Sequence, residues 1–344
     1  MSENQGRVWN LSKHLKKYLL AYTIAFIISA ILIGHYEAAF VSRIPKLLFT
    51  DIVMVIAIAT VYPSMIQLRG EALGQAFRQW KSLLLSLVYV FALAPLMAYA
   101  LAPTIGNKGI GLGFMVVNVV PAGSASVGYV LIAEGSIELA TALAILGLVV
   151  AIPAIPMYLS FYGKSTSMSV PISPIMSSIL YILVLPLVLG QATRVALRNS
   201  GGREFVEKEA APYLSASTII SLFALVFVLV MKEANFLINK PYIVAAIITY
   251  QTIIILTTLS VSIVFSKALG ISYKDHQAIA FTSTSKNQSV AAAIAMMALN
   301  PATAVVPALI PMIQPVLAMA YIYFDGPLKK YLGEGRNELK KLVA

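Results

Sequence analysis

Lys286 carries the strongest chemical signal in this chain. It lies within the polar run Thr282-Ser283-Thr284-Ser285-Lys286-Asn287-Gln288-Ser289, in the middle of an otherwise uncharged span that extends from Ile279 to Leu299. A membrane-crossing helix needs about 20 residues. Lys286 would therefore lie too deep in a bilayer for its side chain to reach either surface. Charges at that depth are costly and usually functional, so the sequence predicts a transport site at Lys286.

A second interruption occurs earlier in the chain, at Pro121-Ala122-Gly123-Ser124-Ala125-Ser126. Proline removes a backbone donor and clashes with the preceding turn, and glycine lowers helix propensity, so we expect the helix to break here. The half-helix that follows a break presents free N–H groups, which suit an anion. Free carbonyls and hydroxyls beside them suit a small cation. The alternative is that these residues merely kink a membrane helix.

The candidate binding residues are the polar and backbone-exposing positions of the two breaks, together with an asparagine one turn before the first break. Each hydroxyl alone is weak evidence, since serine and threonine often bond their own helix. The three histidines fall at segment ends and the chain has no cysteine, so no metal site or cofactor is expected. The candidates are Lys286, Asn287, Gln288, Thr284, Ser285, Ser124, Ser126, Gly123, Pro121, Asn118, Thr282 and Ser289.

Composition places these breaks in a membrane. The chain is 59% hydrophobic and 11% charged, whereas a soluble domain has about 25% charged residues. We therefore predict an all-α polytopic membrane protein in a lipid bilayer. Its net charge of +11 is interpreted as a topology signal in short loops rather than as a nucleic-acid surface. The membrane segments show no nucleophile–base pair, so an enzyme is not expected.

Ten apolar segments fit the chain, and the distribution of basic residues orients them. With the N-terminus inside, 18 of the 25 Lys and Arg residues fall on the inner side and six on the outer side, while Lys286 stays in the membrane. This bias predicts that both termini are cytoplasmic. The segments are Tyr18–Gly34, Leu47–Leu68, Ser82–Pro103, Gly109–Ala133, Ile137–Tyr162, Pro174–Leu197, Tyr213–Met231, Pro241–Leu269, Asp275–Leu299 and Ala302–Phe324.

The two breaks fall in the fourth and ninth segments, which indicates a repeat of five helices. Because five is odd, the second unit would be inverted relative to the first, an architecture common among secondary transporters. The predicted units are residues 18–162 and 163–325. We expect a cytoplasmic amphipathic N-terminus at residues 1–17, a basic cytoplasmic tail at residues 326–344, and a first segment that is retained rather than cleaved.

Both motifs resemble one superfamily of transporters. The stretch Pro121–Ser126 resembles the P-G-G-T-A-S stretch in the fourth helix of bile acid:sodium symporters. The stretch Asp275–Asn287 is similar to the D-x-x-x-x-A-F-T-x-x-x-[RK]-N pattern of arsenical-resistance permeases. The resemblance extends to chain length, segment count and break placement. It implies a ten-helix fold with a panel domain and a core domain, in which helices 4 and 9 are discontinuous and cross.

Several positions depart from that superfamily. The glutamate that the sodium-coupled branch places before its Gln-Asn pair falls near Thr282, and its glutamine becomes Lys286. The asparagine after its T-A-S stretch becomes Val127. The arsenite-efflux branch uses a cysteine in the fourth helix and a glutamate past the ninth-helix break, where Ser289 stands here. These departures argue against a sodium site and against that branch's mode of arsenite efflux.

Three interpretations of Lys286 remain open. In the first, its ammonium replaces the coupling cation, so that a proton rather than sodium drives transport, since a buried lysine can release its proton in the working pH range. In the second, it is a fixed counter-charge for an anionic substrate. In the third, it is structural and ties the break to carbonyls or to a carboxylate such as Asp51. Elsewhere, Arg194 is expected to snorkel to the surface, and Gln251 either reaches the cavity or satisfies neighbouring helices.

The sequence thus predicts a secondary active transporter of a small organic anion in the plasma membrane, working by alternating access. Efflux of arsenite or another oxyanion is the alternative, and a passive anion channel is a lesser one. A homo-oligomer is left open. The identity of the substrate and the direction of transport do not follow from the sequence.

Overall fold

A computed structural model of the chain describes residues 9–11, 14–15, 18–70, 74 and 79–332. Regular structure within these ranges is helical, and no strand forms there apart from one isolated bridge. The all-α prediction is confirmed for this part of the chain. Most of the predicted N-terminal unit, residues 1–17, lies outside the described residues, and so does most of the tail, residues 326–344.

Fifteen helices make up the described fold. Three of them contain a π turn or a 3-10 turn without losing their continuity: α4 has a π turn at Tyr89–Leu93 and a 3-10 turn at Ala102–Ile105, α8 has a π turn at Leu180–Val184, and α14 has a 3-10 turn at Ile310–Met312. The helices are α1 Leu19–Tyr36, α2 Ala38–Arg43, α3 Lys46–Gln67, α4 Trp80–Ile105, α5 Lys108–Val119, α6 Ser124–Ile132, α7 Ile137–Ser165, α8 172–204, α9 Ala211–Lys232, α10 Ala234–Asn239, α11 Pro241–Ala268, α12 Tyr273–Thr284, α13 Gln288–Ala298, α14 Pro301–Ile322 and α15 Asp325–Leu332.

Seven helical stretches among the described residues are long and apolar enough to cross a membrane. They are α1, α3, α4, α7, the continuous run from α8 through α9, α11 and α14. Helix covers the fourth and ninth predicted segments only as the shorter pairs α5–α6 and α12–α13, because each segment unwinds in its middle. The number of membrane crossings stays a prediction.

The helices pack in two sets around the broken pairs. In one set α9 packs against α1 and α3, and α8 packs against α3. In the other set α12 packs against α4, α6, α7 and α11, while α5 packs against α7 and α14. Every residue of α5 from Ile110 to Val119 is buried, and so is every residue of α12 from His276 to Thr284. These two half-helices therefore lie in the interior of the fold.

Side-chain caps fix where several helices begin. Asn107, Ser136, Ser272 and Asn300 each accept a hydrogen bond from the backbone N–H three residues later, at the starts of α5, α7, α12 and α14. Asn287 caps α13 in the same way. Such caps satisfy donors that a helix cannot satisfy itself. The start of α6 differs, because Gly123 provides no side-chain cap.

The described part of the tail docks on the fold as α15. Asp325 accepts a hydrogen bond from the Tyr273 hydroxyl at 2.8 Å, and Lys329 donates to Glu134 at 2.8 Å. The hydrogen bond and the charge of Lys329 lower the pKa of the Glu134 carboxyl. Through these contacts α15 connects the start of α12 with the end of α6.

Gly113 marks a tight contact between α5 and α14. A Cβ at this position would collide with the backbone carbonyl of Thr303. We expect Gly113→Ala to destabilise the protein by about 1–3 kcal/mol, the usual cost of overpacking, measured as a lower melting temperature in detergent. Gly109→Ala on the same helix is the control, because its Cβ meets nothing closer than 3.5 Å. A Gly113→Ala protein as stable as the control would contradict the packing described here.

Candidate functional site

The two helix breaks lie against each other and pair through their backbones. The N–H of Gly123 donates to the Ser285 carbonyl at 2.9 Å, and the N–H of Asn287 donates to the Pro121 carbonyl at 2.9 Å. These two bonds form the antiparallel bridge between Ala122 and Lys286. Unwound backbone inside a membrane must find partners within the protein, and here each break supplies them to the other.

Glycine at position 123 makes this approach possible. A Cβ there would lie 3.3 Å from the Asn287 Cα and 3.3 Å from the Lys286 carbonyl oxygen. Both are backbone atoms that cannot rotate away. The backbone of Gly123 is extended, with φ −84°, which any residue can adopt. Space rather than conformation therefore favours glycine here.

Lys286 is buried, with 3% of its surface exposed. Its Nζ donates to the Val90 carbonyl at 3.1 Å, within the π turn of α4. A π turn disturbs the regular helical pairing and occurs often at functional sites. The neighbouring Phe91 carbonyl also accepts a side-chain hydrogen bond, from the Tyr158 hydroxyl at 2.6 Å. Asp51 was a candidate partner of Lys286, but it lies on an exposed face of α3, so that expectation is wrong.

A cavity of about 460 Å³ reaches the paired breaks. Six of the twelve predicted site residues line it, all from the break segments or from the first turns of α6 and α13. They are Gly123, Ser124, Lys286, Asn287, Gln288 and Ser289.

The other six predicted residues do not line this cavity. Ser126, Thr282 and Thr284 each donate to a carbonyl three or four residues earlier in the chain. The Pro121 carbonyl accepts a hydrogen bond from the Asn287 N–H. The Ser285 hydroxyl is buried with no hydrogen-bond partner among the described residues. Only part of each helix's circumference faces the cavity. Polar residues on the other faces therefore form hydrogen bonds within the protein or are buried without a partner.

Asn118 belongs to a separate buried pair. Its amide donates to the Gln251 side chain at 3.0 Å and to the Phe114 carbonyl. Asn118 and Gln251 are both buried and lie outside the cavity lining. Of the two interpretations of Gln251, the structure thus supports the one in which it satisfies a neighbouring helix.

The cavity also contains polar residues that the sequence reasoning missed. Gln314 on α14 accepts a hydrogen bond from Gln288 at 3.2 Å and donates to the Lys286 carbonyl at 3.5 Å. Gln67 on α3 accepts a hydrogen bond from the Ser215 hydroxyl at 2.9 Å. In the sequence, Gln314 and Gln67 could be recognised only as single amide side chains within apolar segments. The remaining polar side chains in the lining include Thr60, Ser64, Tyr129, Thr141 and Thr218.

At its other end the cavity is lined by a cluster of charged residues. Glu207 forms ion pairs with Arg69 at 3.1 Å, with Arg194 at 3.3 Å and with Arg203 at 3.0 Å. Arg194 is only 4% exposed and also donates to the Ile66 carbonyl at 3.2 Å. The expectation that Arg194 snorkels to the surface is therefore wrong, because a carboxylate and a carbonyl hold it inside the protein.

The deep end of the cavity is electropositive. The first residues of α6 and of α13 both line it, so the N-terminal ends of two half-helices converge there. Each N-terminus carries a partial positive charge, and that of α6 has no side-chain cap. Lys286 lies in the break that precedes α13, and its Nζ donates to the Val90 carbonyl of α4, a helix that has no residue in the cavity lining. This arrangement suits the binding of an anion.

Comparison with known proteins confirms the resemblance seen in the sequence. The model of the Sodium Bile acid symporter family matches residues 52–240, more than half of the chain. A curated relative, the arsenical-resistance protein Acr3 of Corynebacterium glutamicum, is 25% identical over 122 residues, which are 36% of this chain. The aligned stretch spans only 33% of that relative's length. The chain is thus a multi-pass membrane protein, and it belongs to the sodium bile acid symporter family.

Proposed function

We propose that this protein is a secondary active transporter that moves a small organic anion across the plasma membrane by alternating access. The observation that carries the proposal is the cavity, which runs from the arginine cluster to the paired helix breaks. A site at the meeting point of two broken helices is typical of secondary transporters. Membership of a transporter family supports the same conclusion.

The proposed architecture is ten membrane helices in two inverted repeats, residues 18–162 and 163–325. The run 172–232 has 61 residues, about 90 Å if straight, which is three times the thickness of a bilayer core. Gly202 interrupts this run with φ 79° and ψ 175°, so α8 and α9 count as two crossings. With the two broken pairs, the total becomes ten.

The two packing sets are the proposed moving parts. The panel consists of α1, α3, α8 and α9, and the core contains both broken pairs. The cavity lies between these sets, with Thr60 and Ser215 from the panel on one wall and Ser124 and Gln288 from the core on the other. With both termini cytoplasmic, the arginine cluster lies on the inner side, and the cavity opens towards the cytoplasm. Movement of the core against the panel would open it to the other side.

Lys286 is proposed to supply a positive charge in place of a bound coupling cation, and this charge comes and goes with the proton on its Nζ. Its ammonium is bound to a backbone carbonyl, as a small cation would be. This hydrogen bond is compatible with two of the open interpretations, replacement of the coupling cation and counter-charge of the substrate. The coupling ion proposed on this basis is a proton.

Sodium is accordingly expected to have no effect on substrate binding or transport. Ligand-induced shifts in melting temperature should be equal in sodium and in choline buffers of the same ionic strength. Uptake into proteoliposomes should respond to an imposed pH gradient and not to a sodium gradient. Because Lys286 already supplies a positive charge at the breaks, a requirement for sodium would refute cation replacement.

The substrate class can be tested by a melting-temperature panel on the purified protein. The ligands are bile acids, small mono- and dicarboxylates, and arsenite. A ligand that binds only the folded state adds about 2.7 kcal/mol of stability at a hundred times its dissociation constant. A shift with an organic anion, followed by its uphill accumulation in proteoliposomes, supports the proposal. Accumulation that never exceeds equilibrium would indicate a passive channel.

Arsenite efflux is the second candidate, favoured by the similarity to the arsenical-resistance protein Acr3. The chain has no cysteine, so arsenite recognition would have to proceed without a thiolate. Expression in an arsenite-sensitive host should raise tolerance and lower cell arsenic if this candidate is right. A melting-temperature shift with arsenite alone would rank it above organic-anion transport.

A further inference from the structure

The arginine cluster at the cavity mouth has the composition of a carboxylate-binding site. Both oxygens of Glu207 are engaged, Oε2 by Arg69 and Oε1 by Arg194 and Arg203. Guanidinium groups bind carboxylates in a planar geometry that lysine cannot reproduce. Here three of them contact one carboxylate.

Two arginines of the cluster are positioned by the panel helices. Arg194 projects from α8 and is fixed by the Ile66 carbonyl at the end of α3, and Arg69 follows α3 directly. Glu207 comes from a separate segment, the π turn Phe205–Ala210 that lies beyond the break at Gly202. Glu207 therefore belongs to a different segment from Arg69 and Arg194, and it shares its segment with Arg203, its i,i+4 partner.

The cluster is open to the cavity. Arg69, Arg194 and Glu207 line it, and the side chains of Arg69 and Glu207 are 36% and 20% exposed. A purely structural contact between helix ends does not need a half-buried group of four charges, because apolar residues of similar volume stabilise such contacts as well or better. A site that must release its carboxylate needs both charge and access.

We propose that Arg69 and Arg194 form a second anion site at the cavity mouth, in which Glu207 is the resident carboxylate that an incoming substrate carboxylate displaces. The ligand class is a monovalent organic carboxylate. The inference rests on the proposed function, since the anion would pass this site on its way between the cytoplasm and the helix breaks. Glu207 would occupy the site when no substrate is present.

The test is benzoate binding to the full-length protein, measured by equilibrium dialysis and by melting temperature. Glu207→Gln removes the competing carboxylate while preserving side-chain size, so we expect it to tighten benzoate binding by about tenfold, the factor that corresponds to 1.4 kcal/mol. The matched control is Glu204→Gln, which removes the same charge from an exposed pair with Lys208 outside the cavity lining. Benzyl alcohol, which lacks the carboxylate, should show no gain.

Two further variants test which residues are responsible for the tighter benzoate binding. Adding Arg69→Gln to Glu207→Gln should abolish it, because one of the two binding guanidinium groups is lost. Adding Lys286→Met should leave it intact, because that change affects the deep site only. Persistence in the Lys286→Met background separates this proposal from the proposed transport function, since the mouth can bind benzoate even if no transport occurs.

The proposal is overturned if Glu207→Gln is folded and binds benzoate no more tightly than Glu204→Gln. It is also overturned if the gain survives Arg69→Gln. Should Glu207→Gln fail to fold, Glu207→Asp retains the charge but shortens its reach by one methylene. That variant should tighten benzoate binding severalfold, and unchanged binding would refute the displacement.

Discussion

Transport of the organic anion is expected to fall by about 10- to 150-fold when Lys286 is replaced by methionine. This range corresponds to the loss of an interaction with a charged group, about 1.5–3 kcal/mol. Methionine retains most of the aliphatic stem, so the buried volume between the breaks stays filled while the ammonium is removed. Lys286→Ala should lose transport to at least the same extent and should also leave a cavity. Both proteins should remain folded, as judged by a cooperative melting transition, and transport is measured as the initial uptake rate in proteoliposomes.

Lys108→Met is the matched control for this experiment. Lys108 also donates its ammonium to a backbone carbonyl, that of Thr166 at 2.6 Å, and it lies at the exposed start of α5. Transport should be unchanged in this variant. If Lys286→Met lowers the melting temperature but transports at the control rate, Lys286 is a structural tie to Val90 and nothing more.

The same variant separates the other two interpretations of Lys286. If the ammonium is the counter-charge of the substrate, Lys286→Met should lose the ligand-induced shift in melting temperature. If it replaces a coupling cation, the shift should survive while the response of uptake to a pH gradient disappears. The distinction follows from where the charge acts, on the bound anion in one case and on the energetics of the moving core in the other.

The breaks themselves could be predicted from local chemistry. Proline at 121 cannot donate a backbone hydrogen bond, and a lysine within an apolar span must be accommodated by the protein or by water, whatever the surrounding fold. The membership of a transporter family was likewise readable from the two motifs. These predictions succeeded because each depends on a few adjacent residues.

The environment of the breaks could not be read in the same way. Lys286 binds a carbonyl at the π turn of α4, and the sequence of that turn, Tyr89–Leu93, has no charged residue, proline or glycine that would indicate it. Ser126 and Asn118 are as polar as the residues that line the cavity, yet they face other helices. Arg194 is buried because Glu207, 13 residues away, turns back towards it. Each outcome depends on packing between distant segments.

Gly123→Val is expected to abolish transport and to destabilise the protein by more than the usual overpacking cost of about 1–3 kcal/mol. The Cβ alone would lie 3.3 Å from backbone atoms of Asn287 and Lys286, and the two methyl groups of valine would add to the crowding. The breaks must then separate, which stretches the two 2.9 Å hydrogen bonds that join them. An unsatisfied backbone group within a membrane costs several kilocalories per mole.

A graded series tests whether the contact between the breaks, rather than the bulk of a side chain, is what transport requires. Gly123→Ala should reduce uptake less than valine does, because only a shift of a few tenths of an ångström is needed to accommodate its Cβ. Gly147→Ala is the control, since its Cβ would meet Pro121 of the same break at an ordinary 3.5 Å. Uptake should therefore fall in the order Gly147→Ala, Gly123→Ala, Gly123→Val. Equal uptake in all three would mean that the breaks can separate without loss of the site, and the pairing described here would then have no part in transport.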